Sequence, residues 1–292
     1  MPPGAPTAAG PTALVLGAGG MRGPALAGFL RRLRSERIQV DIILGSSVGA
    51  IVAAVYAGLG MEPETMIDEA RRLGPSALVH FALSRWRLPF LSARALGRSG
   101  PIPEVLRRLD RASFETLHHG VRRLGLLTFD LLAREELLHY GGPGLPAPLP
   151  LGAAVRAAGA IPALFPPLGA SMGGRRRLLV DAGWMTAVPV ERAFAPPVRA
   201  ARVIAVDLSL RLCLRQARPA YWEHLKTACG ERLVVLRPRV RRTGTVWLRR
   251  GDLDRLVAAG EECLDDAALA VLRAWPAGGV TPMEPARGAH FP

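Results

Sequence analysis

Cysteine is scarce in this chain. Cys213, Cys229 and Cys263 are odd in number and far apart, with no Cys-x-x-Cys pair, which excludes a disulfide framework and a zinc site and fits reduced thiols in a cytoplasm. Aromatic residues make up only 5% of the sequence. The basic runs RRLRSER, GGRRRLL and RPRVRR contain none, so the stacking platform of a nucleic-acid binder is missing and nucleic acid is not an expected partner. Lysine is almost absent: Lys226 stands alone beside 37 arginines, a bias that a GC-rich coding sequence produces without any function. The formal charge of +14 reads first as that bias and second as attraction to an anionic lipid surface. No uncharged run approaches the ~20 residues of a membrane span, and MPPGAPTAAGPT at the start has neither the basic residue nor the apolar core of a secretion signal. A cytoplasmic location is expected, with any membrane contact peripheral.

What is present suits one large globular domain or at most two: 292 residues, 49% hydrophobic and 21% charged,. Residues 1–12 and 276–292 read as flexible tails around a domain spanning 13–275. Pro75 to Leu109, which mixes arginines, prolines and aromatics, reads as an insertion or lid. ALVLG from Ala13 and VDIIL from Val40 are short apolar runs of the kind that buried parallel strands show. Helices are predicted from Pro24 to about Arg34, with Leu26, Phe29, Leu30 and Leu33 on one face, and from Val48 to Leu59. Strand, helix, strand, helix opens a parallel α/β sheet. Further strands are predicted from Leu124, ending at Asp181, from Arg202 and from Arg232, and helices over Leu151 to Ala158 and Asp252 to Ala274.

Between the second strand and the second helix lies Gly45, Ser46, Ser47, Val48, Gly49, a Gly-x-Ser-x-Gly frame in the context a nucleophile elbow requires. The middle residue, Ser47, is the candidate nucleophile. Glycines two before and two after let strand and helix pass closely, and the helix N-terminus stabilises negative charge on the oxygen. The alternative is a small-residue turn before an alanine-rich helix. GAGGMRG, Gly17 to Gly23, closes the first strand. It fails as a dinucleotide fingerprint because Arg22 stands where the third glycine belongs and the second strand ends at Gly45 rather than at an acidic residue. It fits an anion cradle in which the backbone N–H groups of Gly19, Gly20 and Met21 face a developing oxyanion, with Arg22 anchoring the loop or adding charge.

A serine needs a base. His224 and His290 follow in the order an α/β-hydrolase would use, but one lies in a charged helix-like stretch and the other in the tail; His118 and His119 read as a solvated loop. Asp181 is the better partner. An apolar strand delivers it to the glycine-containing loop of LLVDAGWMTAVPV, and burial would raise its pKa toward a useful range. Its bland alternative is a turn-capping Asp.

Taken in order, LVLGAGGMRGPALAGFLRRL, ILGSSVGAIVAAVYA, AAVRAAGAIPALFPPL and LLVDAGWMTAVPV resemble the blocks of the patatin-like phospholipase family, with SFETL similar to a further segment. The likeness covers about Ala13 to Leu210. It implies a three-layer α/β/α fold with a mainly parallel central sheet, fatty-acyl ester hydrolysis with Ser47 as nucleophile and Asp181 as base, and an oxyanion hole in the loop Ala18 to Gly23. Gly23, Gly45, Gly49 and Gly183 are its motif glycines, and it implies no metal or organic cofactor. The implied partner is a phospholipid or other acyl ester; from its Trp86, Leu88, Phe90 and Leu91, the apolar segment Ala77 to Leu96 is expected to meet the acyl chains. Alanine stands at 18 and 182, where the family usually has glycine, and at 187, where an asparagine is common. An alanine held at positive φ costs roughly a kcal/mol or more, which motivates one rival reading, a degenerate member that binds lipid or protein without turnover. A second rival is a soluble carboxylesterase of small esters that uses His224 or His290.

Overall fold

Strands β1 (Thr12–Leu16) and β2 (Ile42–Ser46) are buried along their whole length, as strands covered by helices on both faces must be. They run parallel, with Leu14 beside Ile43. The computed structural model describes residues 10–72, 101–208, 216, 218–240 and 251–275. Helix α1 (Gly23–Ser35) carries Pro24 in its first turn, where the missing N–H costs nothing, and buries the predicted stripe of Leu26, Phe29, Leu30 and Leu33,. Helix α2 (Val48–Ala53) leaves β2 and continues into a π turn, Ala54–Gly58.

The remaining elements are α3 (Pro63–Arg72), α4 (Pro101–Arg111), β3 (Arg123–Asp130), β4 (Glu135–Gly141), α5 (Leu151–Ala158), β5 (Leu168–Met172), β6 (Arg175–Asp181), α6 (Val190–Phe194), β7 (Arg202–Val206), α7 (Pro219–Cys229), β8 (Leu233–Leu236), α8 (Asp252–Glu262) and α9 (Asp266–Ala274). The sheet order is β5-β6-β3-β2-β1-β7-β8, with β4 also on β3. It is parallel through β3, β2, β1, β7 and β8 and antiparallel where β4 and β6 meet β3. One core, which includes Leu14, Ile43, Leu26, Val155 and Leu256, fills one face. A second, which includes Val15, Leu44, Val190 and Trp222, fills the other. The fold is the three-layer α/β/α arrangement.

Several features depart from the sequence reading. The long helix predicted over Asp252 to Ala274 is two, because the Asp265 carboxylate accepts the Ala268 amide and caps a fresh start,. Strands β4 and β5 were unforeseen; β5 alternates exposed and half-buried residues at the sheet margin and carries no apolar run. Of the segment read as a lid, residues 75–100 lie outside the described residues, as do Trp86, Leu88, Phe90 and Leu91. Pro101–Leu109 belongs to α4, whose Leu109 is fully buried and whose Asp110 pairs with Arg156 of α5. Residues 1–9 and 276–292 also lie outside, while the carbonyls of Gly10 and Pro11 accept from Arg202 and the Ala201 amide.

The pairing of β3 positions the site. Because β4 pairs with Leu124–Asp130 along one edge, β2 and β6 must share the other, β2 beside residues 123–127 and β6 beside 128–130. β2 runs with β3 and β6 against it, so their C-terminal ends meet. Ser46 lies opposite Leu127, and Asp181 lies opposite Thr128.

Candidate active site

Ser47 follows β2 at φ 55, ψ −127, a left-handed conformation that costs a non-glycine residue roughly 1–2 kcal/mol. The Ala50 and Ile51 amides donate to its carbonyl at 2.9 and 3.2 Å, so the helix starts immediately behind it. The close approach explains Gly49: a Cβ there would sit 2.1 Å from the Leu16 carbonyl oxygen. The Ser47 hydroxyl donates to Asp181 Oδ2 at 2.6 Å, and both residues are buried.

The acid is held just as closely. The Asp181 amide donates to the Ala160 carbonyl, and its Oδ1 accepts the Gly183 amide at 2.6 Å. Burial pushes its pKa from 3.8 up to about 6, against the lowering effect of the Ser47 and Gly183 hydrogen bonds,. Gly183 is confined as well, since a Cβ would come within 2.8 Å of the Ala18 methyl and 3.1 Å of Ser47 Cβ. Neither Ala18 nor Ala182 has positive φ; the left-handed positions nearby are Ser47 and Gly20.

The glycine loop is tied at its base, with the Gly17 amide donating to Val206 and that of Ala18 to the Ala187 carbonyl at 2.8 Å. Ala18 therefore has no amide to offer an anion. Gly19, Gly20 and Met21 open a single 3-10 turn, Gly20–Arg22, where no preceding turn supplies carbonyls to their N–H groups. The Arg22 amide closes that turn onto Gly19 at 3.3 Å, and its buried guanidinium donates to the Leu208 carbonyl at 3.2 Å. Burial lowers the Arg22 pKa. Of the two roles open to it, the geometry is that of an anchor.

Among the described residues, no histidine stands where a base would. His224 is exposed on α7, His290 is outside the described residues, and His119 stacks on Tyr56 with ring centroids 4.2 Å apart. His139, fully buried on β4, meets Thr128 Oγ1 at 2.9 Å, and burial pushes its pKa down to about 4. Among the described residues there is no group of three or more His, Cys, Asp or Glu side chains that could hold a metal ion.

Residues 14–194, more than half of the chain, match the family described as patatin-like phospholipase. The chain belongs to this family. Two uncharacterized NTE family proteins of Mycobacterium tuberculosis are similar to it. One is 32% identical over 198 residues, covering 68% of this chain and 49% of the relative; the other is 28% identical over 195 residues, covering 67% and 30%. The chain thus spans half or less of the length of these relatives. Among solved structures, VipD from Legionella pneumophila is 11% identical with a TM-score of 0.49, covering 92% of this chain and 68% of that one. Human GIVD cytosolic phospholipase A2 is 16% identical with a TM-score of 0.49, covering 91% and 59%.

Within this patatin-like domain, the structure brings Ser47, Asp181, Gly183 and the loop base at Ala18 into contact. The sequence reading missed three groups, two of the backbone and one side chain. The Val48 amide opens α2 directly after Ser47, the position at which a nucleophile elbow carries an oxyanion donor. Ala187, read only as a missing asparagine, supplies the carbonyl that ties the glycine loop. Ser46, set aside in favour of its neighbour, donates its hydroxyl to the Thr186 carbonyl at 2.9 Å and straps the acid loop to β2; a side chain bonding a carbonyl 140 residues away leaves no local signal.

Proposed function

We propose that the protein is a lipid acyl hydrolase of phospholipase A or esterase type, working through a Ser47–Asp181 dyad. The observation that carries this reading is the 2.6 Å bond from the Ser47 hydroxyl, held at positive φ, to the Asp181 carboxylate. Ser47 Oγ attacks the ester carbonyl carbon while its proton passes to Asp181 Oδ2. The tetrahedral oxyanion faces the amides of Gly19, Gly20, Met21 and Val48, preorganised donors at the start of two helical turns. Collapse breaks the bond to the alcohol oxygen, which leaves with the proton from Asp181 and yields an acyl-serine. Water, deprotonated by Asp181, then attacks that carbonyl and releases the fatty acid. A base with a pKa near 6 is suited to this work at neutral pH because it is ionised yet still basic enough to take the proton. The reading includes peripheral action at a cytoplasmic membrane surface, where the segment Ala77 to Leu96 would meet the acyl chains.

The test is labelling by a lipid-like fluorophosphonate together with turnover of a fluorogenic phospholipid. Labelling at Ser47 is expected, with turnover lost in Ser47→Ala and reduced about 10²-fold to 10⁴-fold in Asp181→Ala. Turnover should fall as pH drops through about 6, where Asp181 gains its proton. Full turnover in Asp181→Ala, or loss of turnover in His224→Ala, would sink the dyad and favour the histidine-dependent esterase.

A further inference from the structure

Exposed large apolar side chains among the described residues are gathered, not scattered. Val271 stands alone on α9, while Leu131, Leu132, Trp184 and Met185, each 39–60% exposed, lie on two neighbouring loops. One is the turn between β3 and β4; the other follows Asp181. The Trp184 ring packs edge-on against Phe129 with centroids 5.4 Å apart, and Phe129 pairs with Val180 across the strands. The Leu131 amide continues the ladder by donating to the Leu178 carbonyl at 2.9 Å. Strand alternation then puts Phe129 and Leu131 on the same face as Arg176, Leu178 and Val180. The ridge begins next to the dyad, because Trp184 follows Gly183, whose backbone is packed against Ser47.

Its far end is basic. Arg175 and Arg176 are exposed in the β5–β6 hairpin and Arg134 in the β3–β4 turn, and among the described residues none of the three pairs with a carboxylate. Arg177 differs, being held by Asp130 and Glu135. Tryptophan is suited to the headgroup level of a bilayer and leucine to the acyl boundary beneath it. Each free arginine near an anionic leaflet adds roughly fivefold to affinity. We propose that this ridge is the surface by which the protein docks on an anionic phospholipid bilayer, with Leu132 and Trp184 entering the interface and Arg134 and Arg176 facing lipid phosphates. The inference rests on reading the site as a lipid acyl hydrolase, since docking here would present the membrane to Ser47.

The test is co-sedimentation of the full chain carrying Ser47→Ala, which leaves lipid intact, with vesicles of phosphatidylcholine alone or mixed with phosphatidylglycerol. Adding Arg134→Gln and Arg176→Gln should weaken binding to mixed vesicles roughly 25-fold, with little change on phosphatidylcholine. Adding Leu132→Ser and Trp184→Ser should weaken it roughly tenfold or more, and raised salt should weaken the parent. In chains that keep Ser47, the same substitutions should spare turnover of a short soluble ester and reduce turnover of vesicle phospholipid. Unchanged vesicle binding in both variants overturns the proposal. So does a change of oligomeric state without lipid, which would make the ridge a self-association surface. The hydrolase reading fails separately, by absence of soluble-ester turnover in the unsubstituted chain, while the sedimentation result still decides the docking.

Discussion

At residue scale, the two alanines that depart from the family pattern turn out to be compatible with their places. Neither Ala18 nor Ala182 has positive φ, so neither bears the left-handed penalty that would have tilted a donor or the base. The Ala18 methyl instead helps to enclose Gly183. Restoring glycine at either position should therefore leave turnover within about threefold of the parent and lower stability by about 0.5–1 kcal/mol, because glycine widens only the unfolded ensemble. Phospholipid turnover beside urea unfolding checks both halves. A gain of tenfold or more from either glycine would show that the alanines do impair the site.

At element scale, the decisive joint is the end of β3. Asp130 is fully buried there, accepting the Leu132 and Leu178 amides and pairing with Arg177 of β6 at 2.9 Å. Burial alone would raise its pKa, but the Leu178 amide, Arg177 and the Leu132 amide outweigh that and hold it below the ordinary value. Asp130→Ala strands two amides and leaves Arg177 with Glu135 as its remaining carboxylate partner, and should cost about 3 kcal/mol as measured by urea unfolding. A loss below about 1 kcal/mol would show that β6 is held to β3 by its backbone ladder alone. Asp130 was invisible as a structural residue in the sequence. LGLLTFDLL reads as one apolar strand through Leu132, and nothing local says that the chain turns at Asp130 to leave Leu131 and Leu132 exposed. The elements nearest Ser47 were legible for the opposite reason: VDIIL, the serine frame and the alanine-rich helix are consecutive, so spacing alone orders strand, turn and helix.

At the scale of the whole molecule, two buried titratable groups act against each other as pH changes. His139 has a folded pKa of about 4, below the ordinary 6.5. Its contribution is present above about pH 6.5 and is lost as pH falls toward 4, by about 3 kcal/mol. Asp181 has a folded pKa raised from 3.8 to about 6. Its contribution is present below about pH 4 and is lost, again by about 3 kcal/mol, as pH rises through 6. Asp181→Asn removes the second effect only. It should be more stable than the parent by about 3 kcal/mol at pH 7 while turning over poorly, with the two converging near pH 4 in urea unfolding. Equal stability at both pH values would show that Asp181 is not held ionised against its surroundings.

The same balance separates what the sequence determined from what tertiary structure decided. The elbow at Ser47, the glycine turn after β1 and the apolar strand that ends at Asp181 follow from short-range spacing, because each depends on neighbours within one strand and one turn. That Ser47 and Asp181 touch does not. They are 134 residues apart, and they meet because β2 and β6 approach end to end along one edge of β3, a long-range pairing that no local periodicity encodes. The raised pKa of Asp181 follows from that meeting, since only the assembled layers remove water from its carboxylate.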